Sequence, residues 1–220
     1  MQITMHRALS MLKTTEKRIE KDLKSSRFIH TTVGQTGVCN GRKVQDVESE
    51  IRANFDSITA LIDNYAALKL GIIRANSGII DSTSEDVSKY EIDGKKYIVA
   101  EIIAIQKFIL PMKERLLAVL SNQLLNVSNQ IEMANSRVSM EVSNVISSVS
   151  NGDKTKLTPE QVDTFTKTYY DNNCQFAVDP LNLTEKIRSL RETIDKVAVE
   201  ADSKLSEVNA LSLIDVDIQS

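Results

Sequence analysis

The chain has 220 residues, 41% hydrophobic and 26% charged, which is enough apolar material for one or two packed cores and too much for a disordered chain. Aromatics at 5%, no Trp and only three Pro speak against an all-β domain and suit long helices. A formal net charge of -3 and a pI near 5.5 make nucleic acid an unlikely partner.

Taken in chain order, Met5, Leu9, Leu12, Ile19 and Leu23 keep a three-four spacing with Glu16 at the one missing step, so a first helix is expected from a Thr4 cap to about Lys24. Residues 1–43 carry nine basic side chains against Glu16, Glu20 and Asp22, an uneven charge read first as a solvated helix face. From Ser25 the character changes to Ser, Thr and Gly, with Phe28, Ile29 and Val33 able to form a short strand. Gly34, Gly37 and Gly41 followed by Arg42 and Lys43 resemble a phosphate cradle only loosely, because a Walker loop needs Gly-Lys-Ser/Thr and this one has Gly41-Arg42-Lys43-Val44. Arg42, Lys43, Gly37 and Gly41 are nonetheless the candidate ligand-binding residues.

Val47, Ile51, Ile58, Leu61, Tyr65, Leu68 and Ile72 define a second helix from about Val44 to Ala75, on the order of 45 Å long. Asn54 interrupts this seam and is a candidate register or interface residue, since a buried polar side chain selects partners. Asn76-Ser77-Gly78 ends the helix. Tyr90, Ile92, Tyr97 and Val99 alternate about Asp93-Gly94, which predicts a β-hairpin near 88–99. A third helix follows to about Ser150, kinked or split at Pro111, its second half rich in Ser, Asn and Val and thinly packed. Asn151-Gly152-Asp153 breaks it. Thr158-Pro159-Glu160-Gln161 starts a short helix to about Tyr170. A polar loop then leads to Pro180 and a last helix over Leu183–Val208. Leu211 to Ile218 alternates as a closing strand that could join the hairpin. Tyr169 and Tyr170 form an aromatic pair suited to an interface.

The fold expected is mainly α (α+β), a long-helix bundle with a small antiparallel sheet. It is read as one elongated domain, 1–220, or as 1–150 and 151–220. Cys39 and Cys174 make no metal or CxxC pattern, His6 and His30 have no ligand-like neighbours, and no metal, cofactor or catalytic residue is expected. No apolar run is long enough for a membrane span and the first residues lack a signal core, so a cytoplasmic protein is expected.

The helix ending Ile72-Ile73-Arg74-Ala75-Asn76, the Asp93-Gly94 turn leading into Ala100-Glu101, and the run Asp202-Ser203-Lys204-Leu205-Ser206-Glu207-Val208-Asn209-Ala210 resemble, together, the septicolysin-like proteins of bacteria and their phages. That resemblance implies a helical bundle with a small sheet, an oligomer, and a bacterial or phage source; it implies no catalytic residues. The function expected is a non-enzymatic oligomeric assembly or interaction protein, a virion component or a binder of a host factor located in the host cytoplasm or virion. The alternative is a small-molecule binder, taking an anionic or nucleotide-like ligand in an inter-helix pocket or the 34–43 loop.

Overall fold

The computed structural model describes residues 2–34, 38–78, 90–150 (side chains to 148) and 158–213. It is mainly α with small antiparallel two-stranded sheets. In chain order the elements are α1 (Met5–Ser25), β1 (His30–Val33), β2 (Val38–Cys39), β3 (Arg42–Lys43), α2 (Val44–Asn76), β4 (Tyr90–Ile92), β5 (Lys95–Tyr97), α3 (Val99–Ala104), a π-helical turn (Ile105–Ile109), α4 (Leu110–Ser150), α5 (Pro159–Asn173), β6 (Gln175–Val178) and α6 (Leu183–Leu211). Packing divides the chain into two compact units, each drawn from separated stretches of sequence.

Unit 1 comprises Met1–Ser25, Ser57–Ala118 and Ile187–Ser220. The Thr4 hydroxyl accepts the Arg7 N–H and so caps α1. Only part of the expected α1 seam is covered: Ala8, Ile19 and Leu23 are buried, while Met5 and Leu9 are exposed. Ile58, Tyr65 and Ile72 are buried on α2, and Ile62 takes the place expected for Leu61. The hairpin β4–β5 pairs Tyr90 with Tyr97 and Ile92 with Lys95. Its turn residues Asp93 and Gly94 have φ of 49° and 72°, the left-handed pair that a two-residue hairpin loop needs.

The third helix, expected to kink or split at Pro111, is divided just before it into α3 and α4 by the π-helical turn, where the backbone widens and the Leu110 N–H donates to the Ile105 carbonyl five residues back. The extra residue relieves the crowding that a proline ring without an N–H imposes on the turn before it. Ile105, Ile109, Leu110 and Ile194 form one apolar cluster, and Ile92, Ile102 and Ala201 a second, with Tyr97 and Val197 against both.

Unit 2 comprises Ser26–Asp56 and Val119–Lys186. Its sheet is β1 against β6, antiparallel, with His30 opposite Val178 and Val33 opposite Gln175. The segment expected as a polar loop up to Pro180 is therefore partly a strand, and α5 runs on to Asn173. Two amides of α4 hold the flanking backbone. Gln123 accepts the Phe28 N–H at 2.9 Å and donates to the Ser26 carbonyl at 2.9 Å; Asn135 accepts the Gln175 N–H at 2.7 Å and donates to its carbonyl at 3.1 Å. The α4 seam is buried at Leu120, Val138 and Val142 but only half-buried at Leu124, Val127, Ile131 and Ala134, which matches the thin packing read from its small residues. The Thr158 capping box and Pro159 start α5 as expected.

The expected closing strand is described only at its start. Leu211, the first residue of the expected closing strand, is helical, because α6 continues and the Ser212 N–H donates to the Val208 carbonyl. Ile214, Val216 and Ile218, the Asn151-Gly152-Asp153 break, and residues 79–89 of the β-rich segment lie outside the described residues.

Candidate functional site

Unit 1 holds a cleft of about 710 Å³ between the later turns of α2, the β4–β5 hairpin, the π-helical turn and α6. Apolar side chains make its floor: Ala66, Ala67 and Leu70 from α2, Ile105 and Ile109 from the π turn, Leu110 from α4 and Val197 from α6. Its rim is charged, with Arg74, Lys95, Lys96 and Lys113 facing Asp63 and Asp93.

Two of these rim charges are already matched. Arg74 Nε–H donates to the carboxylate of Glu101, the one charged side chain buried to 1% among the described residues. The other Glu101 oxygen accepts the Ile98 N–H at 2.9 Å, so a single buried carboxylate fixes the start of α3 and the Arg74 side chain. Asp93 is bonded by Lys196 Nζ at 2.7 Å, while its own N–H donates to Glu200 Oε2 at 2.7 Å. The Lys196 hydrogen bond holds the Asp93 carboxyl below its ordinary value, and Asp93 in turn raises the Lys196 ammonium. Burial, then the nearby Glu101 carboxylate, pushes the Tyr97 phenol up. Lys95, Lys96 and Lys113 have no ion pair among the described residues, so the rim keeps a cationic excess.

The sequence reading did not select these residues. A signal was present in Lys95-Lys96, which follows the Asp93-Gly94 turn directly, and in Glu101, which stands at a capping position in the first turn of its helix.

The candidate ligand loop is a second, smaller hairpin. Asn40 and Gly41 have φ of 51° and 76° and join β2 to β3, with Val38 opposite Lys43 and Cys39 opposite Arg42. Asn-Gly is itself a turn signal of the same kind as Asp93-Gly94. Arg42 Nη1 lies 2.6 Å from Glu50 Oε2 and Lys43 is exposed. Gly37 lies outside the described residues. Cys39 is buried, its thiol donating to the Thr31 carbonyl at 3.2 Å, and burial raises its pKa, the reverse of what an activated nucleophile requires.

Asn54 is half-buried on α2. Tyr169 and Tyr170 are half-buried as well, and their hydroxyls donate within unit 2, to Glu141 at 3.1 Å and to Ser139 at 3.3 Å. Among the described residues no helix is long and apolar enough to cross a membrane, and no group of His, Cys, Asp or Glu could hold a metal.

A second surface lies in unit 2, on the side of α4 turned away from Val138 and Val142. Asn122, Asn126, Asn129, Met133, Ser136, Met140, Ser143 and Ser147 follow one another at alternating steps of four and three residues, and every one is exposed and uncharged. Met133 and Met140 are 60% and 61% exposed. This is the spacing of the inner positions of a coiled coil, and in that frame Glu132 and Arg137 occupy the two flanks. Both are exposed and neither has an ion pair among the described residues.

Compared with known proteins, the chain matches no family model, no curated protein and no solved structure.

Proposed function

We propose that the protein is a non-enzymatic assembly component that associates with copies of itself through the exposed face of α4. The observation that carries this reading is the face of α4 from Asn122 to Ser147, which its own unit leaves uncovered, bears no charge over its length and exposes Met133 and Met140. A helix needs one covered side, and here Val138 and Val142 already supply it. The second face serves a second helix.

The chemistry of the face fits an identical partner. In a parallel pair about a two-fold axis each inner residue meets its own kind, so inner charges would repel one another and uncharged inner residues do not. In a parallel pair, a flank residue meets the opposite flank of the partner about five positions further on, and Glu132 and Arg137 have that separation. Each copy thus places Glu132 against Arg137 of the other. Asn126, Asn129 and the serines pack less apolar area than leucine would, and polar inner residues fix register at a cost in stability. The contact is therefore weak and reversible, and it forms where an assembly holds copies of the chain at high local concentration. A virion component is one such assembly, and a host-factor binder presenting the same face to another helix is a second.

The test is sedimentation velocity over a concentration series. The parent chain shows a mass that rises with concentration, while Met133→Glu and Met140→Glu, which place like charges opposite each other, remain monomeric. A parent chain that stays monomeric throughout overturns the reading.

A further inference from the structure

We propose that the unit 1 cleft binds an amphiphilic anion, a linear aliphatic chain carrying one negatively charged head. The argument is independent of self-association and rests on how the cleft divides its chemistry.

The floor offers aliphatic side chains, Leu70, Ile109 and Val197 among them, with the small Ala67 leaving the groove open. These aliphatic side chains carry no hydrogen-bonding groups, so among the uncharged lining residues only the Tyr97 phenol could read a nucleobase, while the floor removes methylene groups from water efficiently. The volume of about 710 Å³ lies within the range of small-molecule sites.

The rim supplies the charge. Arg74 is held by Glu101 and Asp93 by Lys196, so these pairs neutralise themselves. What remains is three lysines, Lys95, Lys96 and Lys113, against Asp63. Lys95, Lys96 and Lys113 all line the cleft. Ammonium groups act as point charges without the planar fork of arginine, so they accept a carboxylate or a phosphate head alike. The π-helical turn puts Ile105 and Ile109 into the cleft from a backbone that a regular helix would have turned elsewhere.

The experiment is isothermal titration calorimetry on the full chain with four probes below their micellar concentrations: dodecanoate, dodecanol, inorganic phosphate and AMP. Dodecanoate is expected to bind at least tenfold more tightly than dodecanol, with no measurable binding of phosphate or AMP. The double variant Lys95→Glu/Lys113→Glu should lose at least tenfold in dodecanoate affinity, and Ala67→Trp should abolish binding by filling the groove. Ala67 and Lys95 are exposed and Lys113 is half-buried, so neither variant disturbs a buried core, and circular dichroism confirms that each is folded. Lys167→Glu, an exposed position in unit 2, serves as the charge control and should bind as the parent does. Absence of dodecanoate binding overturns the proposal. So does binding that is unchanged in Lys95→Glu/Lys113→Glu, or phosphate or AMP binding as tight as that of dodecanoate.

Discussion

Arg74, in the last turn of α2, donates to the buried carboxylate of Glu101 in the first turn of α3, and that carboxylate also accepts the Ile98 N–H. Two chain segments of unit 1, the end of α2 and the start of α3, thus meet at one charge. Removing Arg74 leaves Glu101 buried without a cation. A fully buried pair broken this way costs about 3–5 kcal/mol, but Arg74 is 41% exposed, so Arg74→Met is expected to lose about 2–3 kcal/mol in urea unfolding. The double variant Arg74→Met/Glu101→Leu should lose less than Arg74→Met alone, because the stranded charge is gone.

Among the described residues, two glycines of unit 2 with positive φ separate backbone strain from steric conflict. Gly41 has φ 76° and open space around the position of a Cβ, so Gly41→Ala carries the left-handed penalty alone, about 1–2 kcal/mol. Gly34 has φ 62° and a Cβ there would sit 2.7 Å from the Asn172 carbonyl oxygen. Gly34→Ala must also push β1 off the end of α5, and a loss of about 3 kcal/mol or more is expected. Equal losses in thermal unfolding would contradict the assignment of that close approach.

His30 should make unit 2 sensitive to acid. Burial lowers its pKa from the ordinary 6.5; Glu50 works against that shift, while Arg27 and Arg42 reinforce it. The folded chain then binds fewer protons here than the unfolded chain, so stability rises with pH. The loss begins as pH falls through 6.5 and is complete below the lowered folded value. Urea unfolding at pH 7.5 and 5.5 should show a smaller drop for His30→Gln than for the parent; equal drops would refute the role of His30.

Much of the fold was legible in the sequence because it depends on local signals. Thr4, the Thr158 capping box and Asp93-Gly94 act over a few residues, and the helices of the structure begin and end close to where these signals place them. The strand Gln175–Val178 was not legible, since its pairing with His30–Val33 is long-range and Gln175-Phe176-Ala177-Val178 carries only a brief alternation. Seam positions were read more coarsely. Met5 and Leu9 have the right spacing, but spacing states only that a face is apolar, not that a neighbour reaches it. Of the candidate ligand residues, Arg42 turned out to lie against Glu50. The cleft was missed because its lysines and aliphatic floor come from four separate stretches of chain.

The uncharged α4 face is also a prediction about stability. Because Met133 and Met140 are exposed, Met133→Ala and Met140→Ala should each change the unfolding free energy by less than about 0.5 kcal/mol at low protein concentration. A loss of about 2 kcal/mol or more would mean that these side chains serve the unit's own core.

The most direct test of self-association exchanges the flanking charges of α4. Sedimentation equilibrium should show weaker association for Glu132→Arg and for Arg137→Glu than for the parent, by about 0.3–1 kcal/mol per lost pair. The double variant Glu132→Arg/Arg137→Glu, which restores opposite charges across a parallel pair, should recover the parent's association. Single and double variants that all associate as the parent does would contradict the parallel contact, and a monomeric parent would contradict the assembly itself.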